Sequence, residues 1–353
     1  MPRSVRCMWM RGGTSKAAYF LAQDLPADPR QRDQFLLRIM GSPDDNQIDG
    51  IGGANPLSSK VAVVKKSSRY GIDVDYLFLQ VLIDKAIVTS TLSCGDILAG
   101  VGPFAIERGL VTAHEGETSV AIYLENSGQV AIEKIATNSG KVIYTGAAKI
   151  SGVPRTASPI PIDFKANAGG SYEAFLPTGN EVDVIDDITV TCIDNGLPCV
   201  VMLAKDFGIT GAETSEQLTK NDDLLTKLDS ISSQAGKLMN VANIADEALP
   251  HIILVGPASH GGAISTRTFI AGKCHASIDI FAALSLATSC FLPQSPAYNV
   301  ANLAGNVGTS KVVAIEHPDG IMSVNLSFDA SGQVNNASIV RTARKLFDGQ
   351  IFA

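Results

Sequence analysis

The sequence lacks several features that would place it outside the ordinary globular proteins. Its 353 residues contain no apolar run close to the roughly 18 residues that a membrane helix needs. The first residues lack the apolar core and small-residue cleavage site of a signal peptide. Basic residues are outnumbered, with 28 Lys and Arg against 35 Asp and Glu, so the net charge is −7. Neither a membrane nor a nucleic acid is therefore expected as a partner.

Cysteine and histidine are too scattered to predict a metal site or a disulfide framework. The six cysteines form no CxxC pair, and the five histidines form no HExxH pair. Isolated cysteines in a chain of this length are typical of reduced thiols in a cytosolic protein. We therefore expect a cytoplasmic protein that needs no metal.

The sequence is dominated by short apolar runs that end in turn residues. Most contain β-branched residues and alternate in polarity, which predicts strands. The predicted strands span 61–64, 76–83, 119–124, 129–136, 142–150, 188–193, 199–203, 252–255, 311–315 and 321–326. Helices are predicted over 29–40, after the N-cap Asp28, and over 224–238.

Two further predicted helices, 96–108 and 277–290, are apolar on nearly all sides. A helix without a polar face is buried all round. Two such helices in a β-rich chain predict an α+β fold. We expect two pseudo-symmetric, β-barrel-like halves, each around one central buried helix.

An internal repeat supports two halves. The segments CMWMRGGTSKAAYFLAQDL and CIDNGLPCVVMLAKDF both run from a cysteine through a glycine-containing loop and an apolar strand to LAxD. A spacing of 182 residues separates LAQD from LAKD, and 180 residues separate Cys94 from Cys274. The expected halves are 1–183 and 184–353, and the extreme C-terminal segment is free to pack back on the first half.

Cys94 and Cys274 each precede one of the predicted buried helices. The unpaired N–H groups and the dipole at a helix start stabilise negative charge, which suits a thiolate or a bound carboxylate. Gly95 would allow a ligand to approach the backbone closely. Duplication would bring both helix starts to one cleft that suits a di- or tricarboxylate. The alternative is that both thiols are small buried hydrophobic groups.

Lys60 stands at the entrance of a predicted strand, after a glycine-rich turn and Ser59, which is a candidate for substrate binding. Burial or a cationic neighbour would lower its pKa and make it a usable base near neutral pH. The alternative is a surface lysine with a buried stem. The loop RGGTSK is expected to present backbone N–H groups, with the hydroxyls of Thr14 and Ser15, to an anion.

Three more side chains are candidates for substrate binding. Arg11 and Arg267 suit bidentate contact with carboxylates, although either could be a surface residue. His275 directly follows Cys274 and could supply a charge or a hydrogen bond. A histidine on its own is also compatible with a purely structural role.

Taken together, the motifs resemble the PrpF-like family, which includes 2-methylaconitate cis–trans isomerases, 4-oxalomesaconate tautomerases, and aconitate or methylitaconate isomerases. The motifs that carry the resemblance are RGGTSKAAYF, DGIGGANPLSSKVAVV, SCGDILAGVGPFAIERGLV, KCHAS, HPDG and VRTARKLFDGQI. They are spread over essentially the whole chain. The resemblance implies a diaminopimelate-epimerase-like fold and an enzyme without metal, pyridoxal phosphate or nucleotide.

The resemblance also implies that Lys60 and Cys94 are the acid/base pair. Family members commonly read NCGN, whereas this chain reads SCGD, with Ser93 and Asp96. An ionised Asp96 cannot donate to a substrate carboxylate and would repel it. Asp96 is expected either to point into the cleft and set substrate choice, or to cap the helix. Cys274 lies where related epimerases keep a second cysteine, so a two-thiol mechanism stays open.

The prediction is a cofactor-independent isomerase of an unsaturated di- or tricarboxylate of the aconitate, methylaconitate or oxalomesaconate type. The reaction is a 1,3-proton shift or a cis–trans isomerisation. One alternative is an amino-acid or hydroxy-acid epimerase that uses Cys94 and Cys274. Others are a non-catalytic carboxylate-binding protein and, with less support, a cysteine hydrolase. The expected partner is a small anionic carboxylate, and the sequence is also compatible with a homo-oligomer.

Overall fold

The computed structural model describes residues 4–90, 94–165, 175–241, 249–303 and 309–353. The chain forms two compact units. Unit 1 comprises Met1–Phe164 and Val340–Ala353, and unit 2 comprises Lys165–Ile339. The expected boundary between two duplicated halves after Asp183 stays a prediction.

Unit 1 contains ten strands and three helices among its described residues. The strands are β1 (Ser4–Gly12), β2 (Ser15–Leu21), β3 (Lys60–Lys66), β4 (Val74–Val81), β5 (Val88–Thr89), β6 (Gly116–Leu124), β7 (Val130–Asn138), β8 (Lys141–Val142), β9 (Ile160–Lys165) and β19 (Ala343–Phe352). The helices are α1 (Pro29–Met40), α2 (Gly95–Leu98) and α3 (Val101–Glu107).

The strand pairings of unit 1 create two different sheet faces. β1 lies antiparallel to β2 and β19, β2 lies parallel to β3, and β3 lies antiparallel to β4. One face packs Phe20 and Val61 against Phe35 and Ile39 of α1. The opposite face carries α2 and α3, and all residues of α3 from Val101 to Ile106 are buried. The predicted buried helix therefore lies in the core of this unit.

Unit 2 contains the remaining described elements. Its strands are β10 (Asp183–Ile185), β11 (Ile188–Asp194), β12 (Pro198–Leu203), β13 (His251–Gly256), β14 (Ile264–Ile270), β15 (Lys273–His275), β16 (Ser310–His317), β17 (Gly320–Phe328) and β18 (Val334–Arg341), which ends in unit 1. Its helices are α4 (Ser215–Thr219), α5 (Asp222–Leu238), α6 (Ile280–Ser289) and α7 (Pro296–Val300). All ten residues of α6 are buried.

The two units repeat one order of strand pairing. In unit 1, β2 pairs antiparallel with β1 and parallel with β3. The strand β4 pairs antiparallel with β5 and parallel with β6. In unit 2, β12 likewise pairs antiparallel with β11 and parallel with β13. The strand β14 pairs antiparallel with β15 and parallel with β16. This agreement supports the repeat inferred from LAQD and LAKD. The α+β class is confirmed, and the barrel-like shape stays a prediction.

The predicted helix 96–108 was wrong in its continuity, because the chain forms α2 and α3 with Gly100 between them. Tyr19 donates its hydroxyl hydrogen to the carbonyl oxygen of Ile97, at 2.5 Å. A Cβ on Gly100 would lie 2.3 Å from that hydroxyl oxygen. A buried tyrosine therefore takes the space and the carbonyl that a continuous helix would need.

The predicted strand 142–150 was also wrong, since only Lys141–Val142 is a strand in that region. A few residues later, a Cβ on Gly146 would lie 2.6 Å from the Cα atom of Ser158. Ala148 forms only an isolated bridge with Ala157. Close packing between these two backbone segments therefore takes the place of regular strand pairing. Among the described residues, no helix has the length and apolar character to cross a membrane.

Candidate active site

Lys60 opens β3, and its neighbours fix the sheet face on which its side chain lies. It is opposite Ala17 of β2 and Gln80 of β4. Side chains two residues apart on a strand share a face, so Tyr19 lies on the same face as Ala17 and Lys60. Tyr19 bonds to Ile97 of α2. Lys60 therefore lies on the face that carries the helix after Cys94.

The Lys60 amine is buried among neutral groups. The residue is 9% exposed. Its Nζ atom donates to Oε1 of Gln80 at 2.8 Å and lies 5.0 Å from the ring centroid of Phe78. Gln80 in turn donates from Nε2 to the carbonyl oxygen of Ser59 at 2.9 Å. The surface-lysine alternative is thus excluded, and the amine is held in one position.

The turn before Lys60 is built to hold this strand entrance. Ser59 is fully buried, and its hydroxyl donates to Oε1 of Gln47 at 2.8 Å and to the carbonyl oxygen of Asn55 at 3.1 Å. The backbone N–H of Ile51 donates to the carbonyl oxygen of Ile39, at the end of α1. These contacts give the glycine-rich turn a supporting role, whereas binding of substrate by Ser59 stays a prediction.

Cys94 is the N-cap residue of α2 and is partly exposed. Its carbonyl oxygen accepts a hydrogen bond from the backbone N–H of Leu98 at 3.2 Å, and Gly95 is buried in the first turn. Burial, and then the nearby charge of Cys94, raise the pKa of Tyr76 well above its usual value. Tyr76 belongs to β4, so the thiol lies near the Lys60 face of the sheet. Ser93 lies outside the described residues.

Asp96 does not cap the helix as one alternative expected, and its role in substrate choice stays a prediction. Its Oδ2 atom accepts a hydrogen bond from the Thr14 hydroxyl at 2.7 Å, and its Oδ1 atom accepts one from Nε of Arg341 at 3.1 Å. In the described part of the chain, no side-chain hydrogen bond caps α2. The carboxylate is therefore neither a helix cap nor an unpaired charge, because an arginine compensates it.

The loop RGGTSK is a tight hairpin turn. Gly12 pairs with Ser15, and the turn consists of Gly13, with a φ of 48°, and Thr14. The N–H of Gly13 donates to the carbonyl oxygen of Thr342 at 2.9 Å. This N–H and the Thr14 hydroxyl thus bind other parts of unit 1. Ser15 is buried at the start of β2. Anion binding by Thr14 and Ser15 stays a prediction.

Arg11 is held by backbone oxygens on the same side of the hairpin. Its Nη1 atom donates to the carbonyl oxygen of Gly13 at 2.7 Å and to that of Thr342 at 2.9 Å. Burial, and then the nearby Arg344, lower the pKa of the Arg11 guanidinium. The structure therefore brings Arg11, Thr14 and Asp96 together in one network of unit 1.

Cys274 occupies a different setting from Cys94. It lies in β15, opposite Phe269, and packs in a hydrophobic cluster with Leu218 of α4. Burial raises the pKa of the Cys274 thiol. The buried helix of unit 2 begins only at Ile280, and its N-cap residue is Asp279. Placing Cys274 at a helix start was therefore wrong, and Asp279 is the N-cap counterpart of Cys94.

Arg267 and His275 flank Cys274 in unit 2. Arg267 donates from Nε to the carbonyl oxygen of Glu213 at 2.8 Å and from Nη1 to that of Thr266 at 2.9 Å. Burial lowers the pKa of the Arg267 guanidinium. His275 has an exposed side chain, and its carbonyl oxygen accepts a hydrogen bond from Ser215. Their roles toward a substrate stay predictions.

Sequence reasoning missed the residues that support the site. Gln80 is the one polar residue within the apolar segment LFLQVLI, and this interruption opposite Lys60 was a usable signal. Glu133 is fully buried, and its Oε2 atom accepts a hydrogen bond from the N–H of Gly102 at 2.9 Å. Arg341 lies in the motif VRTARKLFDGQI, but nothing there indicated its partner Asp96, which is distant in sequence. Among the described residues, no group of three metal-binding side chains is found.

The chain is similar over its whole length to known isomerases. It is 55% identical over 349 residues to "(4E)-oxalomesaconate Delta-isomerase" of Novosphingobium sp. (strain KA1), covering 99% of this chain and 97% of that protein. It is 35% identical to the crystal structure of "Methylitaconate-delta-isomerase", with a TM-score of 0.84, covering 99% of this chain and 95% of that one.

More distant structures share the fold alone. A hydroxyproline epimerase from Agrobacterium vitis matches with a TM-score of 0.51 at 13% identity, covering 99% of this chain and 93% of that one. This agrees with the expected epimerase-like fold. The family model described as "PrpF protein" matches residues 3–353. The chain therefore belongs to the PrpF family.

Proposed function

We propose that this protein is a cofactor-independent isomerase that moves the double bond of an unsaturated di- or tricarboxylate, and that oxalomesaconate is the first substrate to test. The observation that carries the proposal is the whole-chain match, at 55% identity, to a protein named as an oxalomesaconate isomerase. The buried amine of Lys60, on the sheet face that carries α2, supplies the acid/base group that such a reaction needs.

The proposed reaction is a proton transfer in two steps. A base removes a proton from the carbon next to the double bond, and the electron pair of that C–H bond spreads into a dienolate. An acid then delivers a proton to the far carbon, so that the double bond moves and no atom is gained or lost. Hydrogen bonds to the substrate carboxylates stabilise the intermediate. Lys60 and Cys94 share the two roles.

The environment of Lys60 suits a role in proton transfer. Its hydrogen-bond partner is Gln80, whose amide oxygen accepts from the amine and orients it. The Gln80 amide is itself fixed by the carbonyl oxygens of Ser59 and Pro56. A preoriented amine on a strand end avoids reorganisation during the proton transfer.

Pairing of Asp96 with Arg341 removes the main objection to an anionic substrate. An unpaired carboxylate beside Cys94 would repel a substrate carboxylate, but the guanidinium at 3.1 Å compensates its charge. A tricarboxylate is therefore compatible with SCGD in place of NCGN. Arg11, Thr14, Ser15, Ser59, Gly95 and Arg267 stay proposed substrate-binding residues.

The epimerase alternative is less well supported. It requires a second thiolate at Cys274, but this thiol packs in a hydrophobic cluster and burial raises its pKa. Raising the pKa of a thiol reduces the fraction of thiolate that could act as a base.

His275 stays a proposed binding residue for either reaction. The six cysteines are free thiols, which supports the proposed cytoplasmic location.

The test is NMR of the protein incubated in deuterated buffer with oxalomesaconate, cis-aconitate, trans-aconitate and methylaconitate in turn. We expect deuterium at the newly protonated carbon of a double-bond-shifted product. Inversion of an amino acid or hydroxy acid would support the epimerase instead, and binding without exchange would support a non-catalytic protein.

We expect the isomerase rate to be unchanged by EDTA, since the proposed chemistry uses only side chains of the chain. Rates of the enzyme before and after incubation with EDTA provide the measurement. A loss that Zn²⁺ or Fe²⁺ reverses would contradict the proposed mechanism.

A further inference from the structure

We propose that Arg341 is a positioning residue for the acid/base site, and that it acts on Cys94 through Asp96. The structural part of this inference stands on unit 1 alone, and its kinetic part rests on the proposed function. Arg341 lies at the end of β18, and its side chain is 8% exposed. Its Nε atom donates to Asp96 at 3.1 Å, two residues after Cys94.

The carboxylate of Asp96 joins three segments that are distant in sequence. Its two oxygens accept from Arg341 and from the Thr14 hydroxyl, which lies in the hairpin turn between β1 and β2. Thr342 directly follows Arg341, and its carbonyl oxygen accepts a hydrogen bond from the N–H of Gly13 in the same turn. The C-terminal segment, the hairpin and the start of α2 are thus tied together by hydrogen bonds.

The packing at this junction leaves no free space. A Cβ on Gly12 would lie 2.5 Å from the carbonyl oxygen of Asp96, and a Cβ on Gly13 would lie 2.0 Å from its Oδ1 atom. Distances this short mean that the hairpin backbone rests directly on the first turn of α2. A shift of Asp96 would therefore move the backbone that carries Cys94.

The pair also controls the charge near the thiol. With Arg341 in place, the negative charge of Asp96 is compensated within a partly buried ion pair. Without Arg341, an uncompensated carboxylate would remain two residues from Cys94 and would disfavour a thiolate there. Removal of both charges would restore neutrality, although not the hydrogen bonds.

The experiment compares Arg341→Met, Asp96→Asn and the double variant with the wild-type enzyme. We expect kcat of Arg341→Met to fall by about 10- to 100-fold, as for a small displacement of a reacting group, while KM changes by less than about threefold. We also expect iodoacetamide to alkylate Cys94 several times more slowly in this variant than in the wild type at pH 7.5. Mass spectrometry of the peptide that contains Cys94 measures the alkylation rate. The double variant should recover part of both losses.

Arg69→Met is the matched control. Arg69 forms an ion pair with the buried carboxylate of Asp75 at 2.8 Å, at the other end of β4 in the same unit. This variant should lose stability without a change in kcat or in Cys94 alkylation. If Arg341→Met fails to fold, Arg341→Lys, which keeps the charge and loses the planar donor, takes its place in the same comparisons.

Equal kcat and equal alkylation in Arg341→Met and Arg69→Met would overturn the proposal. So would an undiminished loss in the double variant, because Arg341 would then not act through Asp96. If the wild-type protein isomerises none of the acids, the proposed function fails by itself. The alkylation rates would still decide the positioning role.

Discussion

Glu133 is a carboxylic acid whose buried surroundings disfavour its charged form. It is fully buried in β7, and burial raises its pKa well above the usual value for a glutamate. One oxygen accepts from the N–H of Gly102 at the start of α3. Since burial disfavours the charged form, we expect Glu133 to hold the buried helix in place as a neutral acid.

Glu133→Gln should therefore become more stabilising, relative to wild type, as pH rises. The folded-state pKa of Glu133 lies above its unfolded value. Its favourable contribution is complete below the unfolded value, near pH 4, and is lost as pH rises toward the folded pKa. The free energy of unfolding in urea, measured from pH 4 to pH 8, provides the test.

The exposed Glu117 of β6 offers the control for this series. Glu117→Gln should leave the pH dependence of the wild-type protein unchanged. A constant difference between Glu133→Gln and wild type over the whole pH range would contradict a neutral Glu133.

The hairpin of β1 and β2 is the element on which the geometry around Cys94 depends most. Gly12 ends β1, and no side chain fits between its Cα atom and the backbone of Asp96. Gly13 supplies the positive φ of 48° that the turn needs. Glycine is thus required here for close approach and for conformation at adjacent positions.

Gly12→Ala should destabilise the protein by about 1–3 kcal/mol, because the new methyl group would meet a backbone oxygen that cannot rotate away. Turnover should fall as well, since the start of α2 must shift. Denaturant unfolding and kcat are the two measurements. Gly349→Ala in β19 is the control, because a Cβ there meets no atom within 4 Å.

Local patterns predicted elements well where one face is apolar and the other is polar. The helix Pro29–Met40 was predicted at its observed bounds, because Asp28 caps it and Gln31 donates to that cap. The element β19 was not predicted, since its polar and apolar residues do not alternate and its partner β1 lies at the other end of the chain. Such pairing leaves no periodic signal in a short window.

Long-range geometry also limited the prediction of the site. Lys60 and Cys94 were selected from local sequence and resemblance, and the structure places Lys60 on the sheet face that carries α2. Cys274 was matched to Cys94 by spacing, by its place ahead of a predicted helix and by resemblance, but it lies in β15 and the helix begins only at Ile280. The neutralisation of Asp96 by Arg341 could not be inferred from spacing.

At the scale of the molecule, unit 1 is built from both ends of the chain. β19 pairs along β1 from Ser4 to Gly12, and Arg108 donates to both carboxylate oxygens of Asp348 at 2.8 Å. Cys7 of β1 is fully buried beside this strand, and burial raises its pKa to about 12. Cys7 and Ile351 of β19 belong to one hydrophobic cluster, so we expect the C-terminal strand to help shield the thiol of Cys7 from reagents.

Deletion of residues 343–353 should expose Cys7 and destabilise unit 1. We expect Cys7 to react with DTNB in the native buffer, whereas in the full chain it should react only after denaturation. Deletion of Phe352 and Ala353 alone is the control, since both are exposed. Equal protection of Cys7 in both truncated proteins would contradict the role assigned to β19.

The most direct test of the proposed mechanism separates removal of the substrate proton from completion of the isomerisation. Lys60→Met and Cys94→Ser are each incubated with oxalomesaconate in deuterated buffer, and NMR follows deuterium in the substrate and in the product. Lys66→Met, an exposed position in β3, is the control.

If Lys60 and Cys94 divide the two proton transfers, both variants should lose product formation by about 100-fold or more. Only the variant that retains the base should still exchange deuterium into unreacted substrate, and Lys66→Met should behave as wild type. Isomerisation at the wild-type rate in either Lys60→Met or Cys94→Ser would contradict the assignment of Lys60 and Cys94 as the acid/base pair.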